Sequence, residues 1–241
     1  MDDELPEPVA RKTNNEDSQL PKVLDDLIRE QMVQTSDHVP GAQEFLPNNK
    51  LAEIVSLSNV QRELSQFLPK DRGLKLARSI CGGGPPRRKL FAILCLMRKA
   101  QRIQSFIDEG ITDQHLPLEF HTKPEKMVYR KSKPANKRLP RPIQLFTAPE
   151  WISQDLESFN AYQWRFLAPS FLLEPKPGQQ FHQVFDTSCI LPFTEESLPN
   201  AGDLKMSDVY EGGYSIVRRV RIHPAHFTLG GHEVSFKMPG E

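Results

Sequence analysis

Eight consecutive apolar residues, Leu90-Phe91-Ala92-Ile93-Leu94-Cys95-Leu96-Met97, constrain the fold of this chain more than any other feature. A helix that is apolar on most sides has no face to give to water. It must sit at the centre of a core, with other elements packed around it. The run is too short to cross a bilayer, which takes about 20 residues, so no membrane association is expected. Before it stands Gly82-Gly83-Gly84-Pro85-Pro86, a break between helices. Pro86 suits a helix start, where a missing N–H is no loss.

Segments on both sides of the run carry helical apolar spacing. Residues 21–32 place Val23, Leu24, Leu27, Ile28 and Met32 on one side of a short amphipathic helix. Val60, Leu64, Phe67 and Leu68 make a second stripe. Asp71 is placed to cap a helix carrying Leu74, Leu76, Ala77 and Ile80. Ile103, Phe106 and Ile107 make a further stripe, and Gly110 after it suits a left-handed helix end. One more turn is expected at residues 113–116, before Pro117.

The chain has 21 prolines in 241 residues, and they cut much of the remainder into connectors. Residues 149–167 read as a helix with a heavy aromatic load, including Trp151, Phe159 and Trp164. The chain turns extended near Ile190-Leu191-Pro192-Phe193. From Asp203 the pattern is that of strands, at residues 209–210, 214–222 and 233–237. The expected organisation is a disordered tail (1–20), a helical region (21–120), a basic linker (121–148), a helix with an extended connector (149–200) and a β element (201–241). The fold class is mainly α with a small β element.

Lys and Arg total 31 and so do Asp and Glu, so the whole-chain charge gives no reason to expect nucleic acid. Residues 123–141 hold eight Lys/Arg against one acid, Glu125, and read as a solvated linker. The three cysteines, Cys81, Cys95 and Cys189, are widely spaced and form no C-x-x-C pair. That argues against a disulfide framework or zinc site and fits a reducing compartment. Cys95 reads as a small buried hydrophobe. The acidic Met1-Asp2-Asp3-Glu4 with no apolar stretch behind it is not a secretory signal. An intracellular location, cytoplasmic or nuclear, is expected. His223, His226 and His232, near Glu233, read as exposed hairpin histidines and not as a metal centre.

The segment richest in chemical implication is Tyr210-Glu211-Gly212-Gly213-Tyr214-Ser215-Ile216-Val217. Two adjacent glycines between β-prone runs make a tight turn. Lacking Cβ atoms, their backbone can approach a ligand and offer N–H groups to phosphate oxygens. Read alone, the same stretch is also an ordinary β-hairpin with Gly212-Gly213 at its tip.

This segment resembles the glycine-rich loop of eukaryotic protein kinases. Gly212 and Gly213 stand at the turn, Tyr214 at the aromatic position, Ser215 at the third glycine and Val217 at the adenine-contacting valine. Tyr210 occupies the place of the first glycine. Downstream, Val234-Ser235-Phe236-Lys237 resembles V-A-I-K, so the resemblance makes Lys237 the candidate phosphate-pairing lysine. The wider chain is similar to fungal protein-kinase-like proteins in which a helical region precedes the kinase domain. The phrases carrying that likeness are residues 89–94, 106–110, 163–169, 190–193 and 220–224.

The resemblance implies a truncated antiparallel sheet like the start of a kinase N-lobe at residues 201–241. It implies ATP and Mg²⁺ as cofactors of a full-length Ser/Thr-type enzyme. Cofactor-binding candidates are Gly212, Gly213, Tyr214, Ser215, Val217 and Lys237; no catalytic or metal-ligating residue is assigned. The chain contains neither an H-R-D nor a D-F-G phrase, the sources of the catalytic base and the magnesium-binding Asp. It ends four residues after Lys237, and the expectation is that it transfers no phosphate alone. The alternative is a non-enzymatic interaction protein whose helical region takes a protein partner.

Overall fold

The apolar run forms α5 (Arg88–Leu96), and all seven residues from Leu90 to Leu96 are buried. Helices α1 (Leu24–Glu30), α2 (Asn48–Ile54), α4 (Lys70–Cys81), α6 (Ile103–Asp108) and α7 (Ser153–Trp164) all pack against it. α3 (Leu57–Leu64) leans on α4 and sends Val60 and Leu64 into the same core. The computed structural model describes residues 22–36, 43–82, 84–121, 127–130, 141–172, 184–194, 209–212, 215–218 and 220–228. Among these the architecture is mainly α, with β structure confined to two-stranded pairings. No described helix is long and apolar enough to cross a membrane. The disordered tail expected for residues 1–20 lies outside the described residues.

Helix ends depart from the sequence expectation in an informative way. α4 starts at Lys70 with Pro69 at its N-cap, so Asp71 is not the cap. It lies in the first turn, where a negative charge favours the helix dipole. Nor does Pro86 open α5, which begins two residues later. Its free donors are met from a distance: the Asp113 carboxylate accepts from the N–H of Lys89 at 3.1 Å and of Leu90 at 3.0 Å. The Asp113 N–H in turn donates to the Pro86 carbonyl at 2.9 Å. Asp113 opens the single 3-10 turn Asp113–His115, in the place expected for one more turn.

At the other ends, α5 and α6 finish with the same hydrogen-bond pattern. After α6, Ile111 donates to the Phe106 carbonyl and Gly110 to that of Ile107, at 2.8 and 2.9 Å. Gly110 has φ +67°, the left-handed conformation its sequence position suggested. After α5, Lys99 donates to Leu94 and Arg98 to Cys95, both at 2.8 Å. Here the left-handed residue is Arg98, at φ 56°, where a Cβ raises the cost.

Within residues 121–148, expected as an exposed linker, described residues contribute to the core. β3 (Leu118–His121) pairs antiparallel with β4 (Met127–Arg130), with Glu119 opposite Tyr129. Val128, Ile143 and Phe146 are buried. The basic residues hid a short β-prone stretch, Met127-Val128-Tyr129, too brief to show a period against its charged surroundings. Phe146 joins Phe106, Trp151 and Phe159 in an aromatic cluster, with Phe106 and Phe159 stacked at 5.8 Å and Phe146 edge-on to Trp151 at 4.8 Å. Beside it, α7 presents the fully buried Gln163 to the backbone of Leu118. Its Oε1 accepts from the Leu118 N–H at 2.8 Å and its Nε2 donates to the Leu118 carbonyl at 3.1 Å. The amide thus stands in for a neighbouring strand, and its burial is satisfied.

Candidate functional site

The glycine segment forms an antiparallel hairpin of β7 (Val209–Gly212) and β8 (Ser215–Arg218). Gly212 stands opposite Ser215, Glu211 opposite Ile216, and Tyr210 opposite Val217. Of the candidates, Gly212 and Ser215 are thus brought opposite each other at the end of the hairpin. Gly213, Tyr214 and Lys237 lie outside the described residues, as does the strand expected at 233–237. The register sets Tyr210, which holds the family's first-glycine position, directly across from Val217, the expected adenine contact. Among the described residues, no group of three His, Cys, Asp or Glu could hold a metal ion.

The strand expected over 214–222 is divided. After β8, residues 221–222 leave the hairpin and become β9 (Arg221–Ile222), antiparallel to β6 (Phe193–Thr194), with Ile222 opposite Phe193. A 3-10 turn at Pro224–His226 follows, and then β10 (Phe227–Thr228), which runs parallel to β5 (Phe171–Leu172). The change of partner from β7 to β6 makes the division, and Pro224 ends β9, since proline cannot donate to a ladder and fixes its own φ.

His226 is the centre of this arrangement, and its fully buried side chain corrects the expectation of an exposed hairpin histidine. The Pro169 carbonyl can only accept, so the imidazole Nδ1–H donates to it, at 3.0 Å. That leaves Nε2 as an acceptor, and the Asn48 N–H at the start of α2 donates to it at 3.3 Å. Asn48 Nδ2 also donates to Ser170 Oγ at 2.9 Å. Phe45, in the β1–β2 hairpin (Val33–Gln34 with Glu44–Phe45), meets the His226 ring edge-on at 5.1 Å and the His223 ring at 5.7 Å. Burial pulls the His226 pKa down to about 4, and the nearby His223 and Lys89 charges push the same way. The ring is therefore neutral near pH 7, as its one-donor, one-acceptor bonding requires. Burial also lowers the His223 pKa; its Nδ1 accepts from the Ala225 N–H at 3.2 Å.

Further bonds close the assembly. His223 N–H donates to the Pro192 carbonyl at 2.9 Å, and Ser36 N–H to the Phe193 carbonyl at 2.8 Å. Leu46 N–H donates to the Arg165 carbonyl at 2.8 Å, while the Arg165 guanidinium pairs with Glu44 at 2.9 Å. Phe45, Ala168 and Ile190 are buried together, with Trp164 packed against them. Sequence reasoning missed Phe45, Asn48 and the role of His226. The available signal was the apolar residue on each side of the His-Pro-Ala-His phrase, Ile222 and Phe227. No protein-family model, no curated protein and no solved structure matches this chain.

Proposed function

We propose that this chain is the amino-terminal portion of a Ser/Thr protein-kinase-like polypeptide, in which the helical body anchors the strand leading away from the glycine-rich hairpin. One observation carries the reading: the phrases 163–169, 190–193 and 220–224, far apart in sequence, converge on a single junction. Residues 190–193 meet 220–224 through the β6–β9 pairing and the His223–Pro192 bond, and His226, two residues past the last phrase, bonds to Pro169. That convergence gives the segments of the kinase-like resemblance a shared structural reason to occur together. The glycine hairpin has the strand–turn–strand form that a phosphate cover needs, unlike a loop that opens a helix.

On this reading ATP and Mg²⁺ serve the complete enzyme, with Gly212, Gly213, Tyr214 and Ser215 over the phosphates, Val217 against the base and Lys237 on a phosphate. This chain, without H-R-D or D-F-G, transfers no phosphate. The helical body is the part that takes a protein partner. Two measurements test the kinase-like reading. The nucleotide sequence beyond the Glu241 codon is expected to encode H-R-D and D-F-G phrases in one of its frames. The purified chain, given labelled ATP and Mg²⁺, is expected to transfer no label to itself or to a basic protein substrate. Downstream sequence lacking both phrases in every frame overturns the kinase-like reading, and detectable transfer overturns the statement that this chain alone transfers no phosphate.

A further inference from the structure

An open cleft of about 330 Å³ lies where the start of α1, the end of α3 and the turn after α5 meet. Two apolar side chains on its wall are unusually open to water: Val23, 42% exposed, and Phe67, 39% exposed. Phe67 belongs to the stripe of Val60 and Leu64 by spacing, but α3 ends at Leu64 and the turn carries Phe67 outward. Around this apolar wall stand Asp25, Asp26 and Glu63, against a single guanidinium, Arg98. Arg98 reaches Asp25 only at 4.0 Å, and its side chain is 88% exposed, so a competing cation can displace it. The buried Cys95 thiol reports the local field. Burial first, then the Glu63 and Asp25 carboxylates, hold its pKa well above the ordinary value. Arg98 is also the residue kept in the left-handed conformation.

We propose that this cleft binds a cationic amphipathic helix of a partner protein, seating one large apolar side chain against Val23 and Phe67 and pairing its Lys/Arg residues with Asp25, Asp26 and Glu63. Charge complementarity selects the occupant, because three carboxylates against one cation favour a basic segment and repel an acidic one. The walls select a helix. The cleft is bordered by helices and turns, so it offers no strand edge for β-addition and calls for side-chain anchoring in a groove. The inference deepens the partner role given above to the helical body and does not depend on the kinase-like reading.

The test uses the full chain and a fluorescein-labelled 14-residue Lys/Leu peptide of helical amphipathic pattern, with a Glu/Leu counterpart. Fluorescence anisotropy is expected to show saturable binding of the Lys/Leu peptide only, weakening as salt rises. Phe67→Ser and Asp26→Lys, both at exposed positions, are each expected to weaken it at least tenfold with an unchanged circular dichroism spectrum, and Phe67→Leu to restore it. Ile152→Ser, at an exposed apolar residue elsewhere, is expected to leave it unchanged. The proposal is overturned if the Lys/Leu peptide does not bind, if the Glu/Leu peptide binds equally, or if Ile152→Ser weakens binding as much as Phe67→Ser. A second copy of the chain covering the cleft, seen as a dimer that Phe67→Ser dissociates, also overturns it. Phosphotransfer and downstream sequence bear on the hairpin alone, so either reading can fail while the other stands.

Discussion

α5 and α2 each begin with backbone N–H groups satisfied from elsewhere in the chain, α5 by the Asp113 carboxylate and α2 by the His226 imidazole. The two differ in reach and in charge. Asp113 lies 23 residues beyond Leu90, within the helical body. His226 lies 178 residues beyond Asn48 and ties the body to the segment that follows the glycine hairpin. An anion at a helix start gains from the helix dipole as well as from its hydrogen bonds. A neutral ring gains only the bond and its packing, here against Phe45. The first cap should therefore govern the stability of the whole body, and the second the attachment of the tail.

The largest expected effect is at the charged cap. Asp113→Ala leaves the Lys89 and Leu90 donors at a partly buried helix start without their partner. It should lower unfolding free energy by about 2 kcal/mol in urea titration, with Asp113→Asn retaining part of that. A loss below about 0.5 kcal/mol would mean that water replaces the carboxylate and the comparison fails.

Nearly as large, but different in kind, is His226→Ala. It removes a buried ring and leaves the Asn48 N–H and the Pro169 carbonyl unpaired, a loss of about 2 kcal/mol. Hydrogen exchange should speed up across residues 168–172 and 221–228 while the amides of α5 keep their protection. Equal loss of protection in α5 would show that body and tail unfold as one unit.

Acid should separate the caps by sign. The His226 pKa is held at about 4, below the ordinary 6.5, so as pH falls through 6.5 the unfolded chain takes up a proton that the folded chain refuses. Stability drops between about pH 6.5 and 4, by at most about 3 kcal/mol, and His226→Gln should remove most of that slope. Asp113 behaves oppositely. Burial raises its carboxyl pKa despite the bonds from Leu90 and Lys89, so the folded form takes up a proton more readily than the unfolded one. Its contribution rises as pH falls through the window just above the ordinary carboxylate value, and Asp113→Asn should abolish that gain. Thermal melts from pH 7 to pH 4 read both.

The smallest effect concerns helix ends, where the caps are local. Arg98→Gly relieves a left-handed conformation that Gly110 adopts without strain, and should stabilise by about 0.5–1 kcal/mol. Gly110→Ala should destabilise by about 1 kcal/mol in the same assay.

The pattern of what was legible follows from range. The Leu90–Met97 run announced the central helix because burial on all sides needs no knowledge of the neighbours. Gly110 announced its helix end because its conformational freedom is intrinsic. Arg98 has the same role with no such mark, since the arrangement of α5 forces it. Val128, Ile143 and Phe146 were lost among basic residues because packing against distant elements, not local period, buries them: β3 for Val128 and the aromatic cluster for Phe146. In the candidate site, Gly212 and Gly213 marked a turn, and β7–β8 pairing follows. The partition of residues 214–222 into two strands did not show, because Phe193, the partner of Ile222, stands 29 positions away.

The sequence by itself determined the mainly α class, the central helix, the placing of most helices around it and the glycine hairpin. These depend on side-chain period and on backbone freedom, which are properties of a short stretch. Only the tertiary structure decided which distant groups satisfy the helix starts, that His226 is buried and neutral, and that Phe67 faces water beside three carboxylates. Those outcomes depend on hydrogen-bond partners and on a helix stopping one turn early, and neither is encoded within reach of the residues concerned.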